Sequence, residues 1–256
     1  MLRARVIPCL LVHRKGLYKT VKFKDPKYVG DPINAVRIFN EKESDELMVV
    51  DIDASVQGNE PDYKLIEKLA AECRMPLAYG GGVKNIDEAR KLFALGVEKI
   101  TLSSAAHDTP ELITEMANQV GAQSVVVVID YKKKMLGGYD MYSHNGKKKR
   151  PGNIFQFAER MEKLGAGEIV LNSIDRDGTM TGFDVEMANK MRESISIPLT
   201  ILGGAGSTDH IKELISEQPV VGASAGSLFV FKGPYRAVLI NYPSREEKLS
   251  LMTNNI

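Results

Sequence analysis

GEIVLNSIDRDGT (167–179) is the stretch on which the fold turns. Its run EIVLNSI (168–174) is a short, β-branched strand signal. GEIVLNSID (167–175) also resembles DELMVVDID (45–53), which lies 122 residues earlier. At the same offset Pro76 falls on Pro198, and Gly81-Gly82 falls on Gly203-Gly204. The chain therefore carries equivalent strand–glycine-turn units in its two halves, the mark of an internal repeat.

Working outward, seven more runs of the same kind appear: RVIPCL (5–10), ELMVVDI (46–52), MPLAYG (75–80), EKITLSS (98–104), SVVVVID (124–130), PLTILG (198–203) and PVVGASAG (219–226). Amphipathic stretches of helical period lie between them, such as PDYKLIEKLAAEC (61–73), IDEARKLFALG (86–96), PELITEMANQVG (110–121), IFQFAERMEKLG (154–165) and TDHIKELISEQ (208–218). Eight strand-plus-helix units at this length predict an α/β fold, a closed (β/α)8 TIM barrel filling one domain over residues 1–256. A doubly wound open sheet is the alternative, but it rarely needs eight near-equal units. A barrel with a two-fold half-barrel repeat should hold two similar ligand subsites on opposite sides of one mouth.

Composition excludes several classes. Thirty-four Lys+Arg against 33 Asp+Glu leave a net charge of +1 in 256 residues, without the basic excess of a nucleic-acid binder. The 43% apolar and 26% charged residues are ordinary for a folded globular protein. No apolar run approaches the ~18 residues of a membrane span. The opening MLRARVIPCLLVHRK is too interrupted for a signal peptide. Cys9 and Cys73 lack metal-ligand or CxxC spacing, so reduced thiols and a cytoplasmic location are expected, with no metal and no cofactor.

Gly80-Gly81-Gly82 follows strand 3, and Gly203-Gly204-Ala205-Gly206 follows strand 7. Glycines there let the backbone approach a ligand and aim free N–H groups at an anion. Strands 4 and 8 end in Ser103-Ser104 and Gly226-Ser227, and Gly178 follows strand 6, adding amide and hydroxyl donors. Tight βα turns are the plain alternative. Two glycine runs at matching positions point instead to a ligand with a phosphate at each end.

These residues resemble the cyclase subunit of imidazole glycerol phosphate synthase. The likeness runs from RVIPCL to GSLF and is most specific in GGGV (80–83), VVVVID (125–130), GAGEIVLNSIDRDGT (165–179) and GGAG (203–206). It implies a barrel that takes ammonia from a partner glutaminase and joins it to a substrate phosphorylated at both ends. It further implies two aspartates, at the ends of strands 1 and 5, as general acid and base. Two carboxylates across a mouth suit that work because each can hold a different protonation state. The strand 5 member is Asp130, but the strand 1 position reads Leu11, which carries no proton. Losing one member of an acid–base pair typically costs ~10²–10⁴-fold in rate. Lys19 remains in the following loop HRKGLYKTVKF (13–23), and Asp51 and Asp177 match family positions near the substrate, where bracing βα loops is their alternative role. His13 shares the strand parity of Leu11 and is expected in a mobile loop, a weak substitute acid–base.

Arg5, Glu46, Lys99 and Glu168 stand at the beginnings of strands 1, 2, 4 and 6. Strand alternation turns Arg5 inward with Leu11, so two cations and two anions should form a neutral ring on the barrel floor. A stabilising plug is the structural reading; the resemblance makes the same four the gate through which ammonia enters from a glutaminase docked at the N-terminal face. Lys132-Lys133-Lys134 and Lys147-Lys148-Lys149-Arg150 flank GGYDMYSHNG, expected as a hairpin after strand 5 whose charges are solvated or draw an anionic substrate or second protein.

Three functions follow. Leu11 above an intact gate favours a divergent paralogue of the kind found in surface-polysaccharide clusters, which with its glutaminase provides ammonia to a separate amidotransferase making acetamidino sugars. The alternatives are a genuine cyclase of histidine biosynthesis and a non-catalytic scaffold that activates the glutaminase.

Overall fold

The computed structural model describes residues 3–252; residues 1–2 and 253–256, the ends of the expected 1–256 domain, lie outside the described residues. Eight parallel strands form its centre: β1 (Arg5–His13), β2 (Leu47–Asp51), β3 (Leu77–Gly80), β4 (Lys99–Leu102), β5 (Val125–Lys133), β6 (Glu168–Ser173), β7 (Leu199–Leu202) and β8 (Val221–Ala225). Each pairs with the next, and β8 pairs back onto β1 with Gly222 opposite Arg5 and Ala225 opposite Pro8. That last pairing closes the barrel and excludes the open sheet, whose edges would remain unpaired.

Helices α1 (Pro32–Glu41), α2 (Tyr63–Glu72), α3 (Ile86–Ala94), α4 (Glu111–Val120), α5 (Ile154–Lys163), α6 (Val185–Ser194), α7 (Thr208–Glu217) and α8 (Arg245–Met252) follow the eight strands in turn. The repeat extends to their caps. Asp62 and Asp184 cap α2 and α6 by accepting the N–H of Leu65 and Met187. Asn85 and Ser207 cap α3 and α7 with nearly equal backbone angles, φ −149° and −150°, ψ 170° and 167°. Each pair is one repeat apart, and each cap satisfies an amide that the helix cannot.

Alternation along the strands splits the apolar residues into two layers. Ile7, Cys9, Met48, Ala78, Val126 and Val170 fill the lumen, while Leu10, Val49, Leu77, Ile100, Ile129 and Leu171 face the helices. No helix among the described residues is long and apolar enough to cross a membrane.

Hairpins also follow β1 and β5 at the C-terminal mouth. The segment expected as a loop at 13–23 is instead a hairpin, Gly16–Val21 against Lys24–Gly30, that continues antiparallel from β1. The expected hairpin after β5 is present, with Tyr139–Ser143 pairing β5 and Lys148–Arg150 beyond it.

Candidate active site

Asp130, near the end of β5, sits in register with Asn172 on β6. The Asn172 amide donates to its Oδ1 at 2.8 Å and the Ser103 hydroxyl to its Oδ2 at 3.1 Å, fixing both oxygens. Burial outweighs these bonds and pushes the carboxyl up to about 7, with the charge of Asp177 adding to the rise. A carboxyl poised there can both give and take a proton at neutral pH. It lines a cavity at the mouth whose β1 side is apolar: Leu11 lies opposite Val50, with Cys9, Met48, Val128 and Leu202 around them. Burial pushes the Cys9 thiol up to about 12, so it stays protonated and offers no substitute base.

His13 is not in a mobile loop. It is the last residue of β1, its Nδ1 lies 2.7 Å from Asp53 Oδ1, and its ring meets Tyr18 edge-on. It lies outside the cavity lining. Strand parity is shared with Leu11, but two residues of rise carry the ring past the mouth.

Lys19 and Asp177 are both buried and pair at 2.6 Å. The other Asp177 oxygen accepts the Thr20 hydroxyl at 2.9 Å and the Phe23 N–H at 3.3 Å, while its main-chain carbonyl accepts the Lys22 N–H. One carboxylate thus pins the first hairpin across the mouth to the loop after β6. Asp51 accepts the N–H groups of Asp53 and Ala54 and so braces the turn after β2; its burial raises its pKa.

The two glycine turns are alike in backbone. Gly81 and Gly82 take φ 120° and 79°, and Gly203 and Gly204 take 98° and 106°, the left-handed region that favours glycine. They differ in access. Gly81, Gly82, Ser103 and Ser104 line the cavity, with the Gly82 N–H 3.4 Å from the Ser55 hydroxyl. Ser104 Oγ already accepts the His144 N–H. On the opposite side the lining includes Asp177 and Gly226 but not Gly178, Gly204, Gly206 or Ser227. Gly204 is covered by the loop after β6, its carbonyl accepting the Gly182 N–H at 2.8 Å. The Gly206 N–H, expected as an anion donor, is directed at His210 Nδ1 of its own helix, 3.1 Å away. The two turns share their backbone geometry, and the first lines this cavity.

The floor is a closed ring. Arg5 bonds Glu46 and, at 2.7 Å, Glu168; Lys99 bonds the same two at 2.9 and 3.0 Å. Both glutamate side chains are at most 6% exposed, whereas Arg5 and Lys99 are 26% and 19% exposed, so the cations face outward and the anions inward. Thr200 donates to Glu168 Oε1 at 2.6 Å, and Gly222 beside it has no side chain to occupy the same space. The basic clusters of the second hairpin, by contrast, are largely neutralised. Lys134 and Lys149 pair with Asp140, Lys133 with Glu186, and Lys148 and the buried Arg150 with Asp108.

Asn172, Thr20, Thr200, Ser55 and His144 complete the site and its floor without having been singled out in the sequence. Only Asn172 had a signal: it ends the inward row of the stretch that decides the fold.

The fold and site define a two-halved (β/α)8 barrel whose C-terminal mouth holds a near-neutral carboxyl beside glycine turns, above a floor of paired charges. Residues 5–235 match the family described as histidine biosynthesis protein, and the chain belongs to that family. It is 56% identical over 249 residues, 97% of this chain and 96% of the relative, to a Vibrio vulnificus protein named as a putative imidazole glycerol phosphate synthase subunit. A Pseudomonas aeruginosa protein named in the same way is 51% identical, with 95% of this chain and 97% of the relative covered. The imidazole glycerol phosphate synthase subunit HisF of Lactococcus lactis is 39% identical, with 90% and 89% covered.

Proposed function

We propose that this chain is the ammonia-receiving subunit of a glutamine amidotransferase complex, a paralogue of the cyclase subunit that lacks the cyclase's acid–base pair. The single observation that carries the reading is Leu11 in the strand 1 position opposite Asp130, above a complete floor of Arg5, Glu46, Lys99 and Glu168. A glutaminase docks against the N-terminal face beneath that ring. Ammonia passes the floor and enters a lumen of Ile7, Cys9, Met48 and Val126. An apolar lining admits neutral ammonia and penalises ammonium, which would have to shed its hydration. At the mouth Asp130 accepts or returns one proton, and the glycine turns hold a phosphorylated substrate. The resemblance to paralogues of surface-polysaccharide clusters supports a role in amidino-sugar synthesis, with a separate amidotransferase using the ammonia.

The test is turnover of the cyclase's bisphosphorylated aminoimidazole-carboxamide substrate with ammonium salt. None is expected from the wild type, and Leu11→Asp is expected to create it. Wild-type turnover that Leu11→Asp leaves unchanged would instead establish a genuine cyclase, a reading favoured by the near-neutral Asp130 and its intact partners. A strain lacking the chain should grow without histidine and lose amidino sugars from its surface polysaccharide. Charge reversal at Lys99 should uncouple ammonia transfer from a co-purified glutaminase; unchanged transfer would sink the gate assignment.

A further inference from the structure

An arginine from the hairpin after β8 reaches the loops beside the second glycine turn. The polar contacts of the first cradle are the Ser55 hydroxyl at the Gly82 N–H, the His144 main-chain amide at the Ser104 hydroxyl and the Asp130 carboxyl at the Ser103 hydroxyl. At the second, a short hairpin after β8, Phe231–Lys232 against Ala237–Val238, brings Arg236 inward. Its turn is closed by the Arg236 N–H on the Gly233 carbonyl, and Arg236 takes φ 51°, a left-handed conformation uncommon for a long side chain. The guanidinium lies over the Phe231 ring, 4.8 Å from its centroid. From there Nη2 donates to the Gly178 carbonyl at 3.2 Å and to the Ser227 hydroxyl at 3.3 Å.

Gly178 and Ser227 belong to two different βα loops, and Arg236 bridges them. Among the described residues its Nε and Nη1 have no hydrogen-bond partner, and no carboxylate lies within ion-pair distance. Two more cations share this lack of an acidic partner. Arg176 gives Nη1 to the Gly182 carbonyl at 3.0 Å, next to Gly204, and Lys27 stands 5.3 Å from the centroid of the same Phe231 ring. The other cation of the cluster, Lys19, is neutralised by Asp177. Arg236 and Lys27 thus share the Phe231 ring, and Arg176 reaches Gly182, whose N–H donates to the Gly204 carbonyl, whereas five of the seven cations of the second hairpin are paired with carboxylates. A planar guanidinium anchored through one nitrogen, with its remaining edge unengaged, matches the bidentate geometry of a phosphoryl group.

We propose that Arg236 is an anion ligand that closes the second cradle over a phosphoryl group, making this the more tightly held end of a two-ended phosphorylated substrate. The proposal rests on the reading of the mouth as a site for such a substrate, and it adds a residue from the hairpin after β8.

The probe is inorganic phosphate, titrated into the full chain while the amide resonances of Gly82 and Ser227 report the two cradles separately. Wild type is expected to shift both, with Ser227 saturating first. Arg236→Gln keeps a donor for the Gly178 carbonyl and removes the charge; it should weaken the Ser227 response at least tenfold and leave the Gly82 response unchanged. Arg236→Lys should restore part of the loss, since it returns the charge without the fork. If Arg236→Gln leaves the Ser227 affinity within twofold of wild type, the Arg236 assignment is overturned and the phosphate reading stands. If the variant weakens both responses equally, Arg236 only packs the hairpin, which also overturns it. No response from wild type at either amide would overturn both readings.

Discussion

Replacing Asp130 by Asn removes a carboxyl that the barrel holds near neutrality, and the structure gives the size of the effect. Folding raises this group from an ordinary 3.8 to about 7, chiefly by burial. Protonated Asp130 is the form the fold prefers, so its contribution is fully present below the unfolded value and is lost as the pH rises through the folded one. At 1.36 kcal/mol per pKa unit the whole swing is about 4 kcal/mol, of which about 2 kcal/mol falls between pH 5 and pH 7. Asparagine cannot titrate, yet its side chain still offers an acceptor to the Asn172 amide or the Ser103 hydroxyl. The stability of Asp130→Asn relative to wild type should therefore climb by about 2 kcal/mol over that interval. Urea unfolding of both proteins at pH 5, 6, 7 and 8 measures it, with the midpoint and slope fitted at each pH. Parallel pH profiles would refute the reasoning, because they would mean that Asp130 ionises as easily in the barrel as in the open chain.

The floor gives two more predictions. Gly222→Ala places a methyl 2.8 Å from Thr200 Cβ and in collision with its hydroxyl, and should destabilise by about 1–3 kcal/mol; adding Thr200→Ala removes the hydroxyl collision but keeps Cβ and forgoes the bond to Glu168, so it should return only part of the loss, and a double variant no better than the single one would contradict the packing account. Lys99→Ala leaves Glu46 and Glu168 buried with one cation between them and should cost about 3 kcal/mol in urea unfolding; a stability within error of wild type would count against it.

The barrel was legible because it is written twice. GEIVLNSID and DELMVVDID announced equivalent strands, and the same offset that aligned Gly81-Gly82 with Gly203-Gly204 also relates the capping pairs Asp62 and Asp184, and Asn85 and Ser207. The floor was legible because a charge at the start of a strand is constrained by alternation alone. What escaped were contacts between residues remote in sequence. The Asn172 amide reaches Asp130 across 42 residues, and Asp177 meets Lys19 across 158, through a hairpin read as a loop. His13 misled because parity fixes the face of a strand and not the height along it. Arg236 gave no sign, since it lies beyond the last barrel strand in a hairpin that has no counterpart in the repeat.

Lys19 belongs to the first half of the chain and Asp177 to the second, and their buried pair joins the two above the mouth. Duplicated halves are interchangeable modules only while their loops stay out of each other's way. Here the hairpin of one is fastened into a loop of the other, so neither half can be exchanged, permuted or diversified without its counterpart. The repeat relates the two halves, and this pair, with the Thr20 and Phe23 contacts to the same carboxylate and the ion pairs of the floor, ties each half to the other.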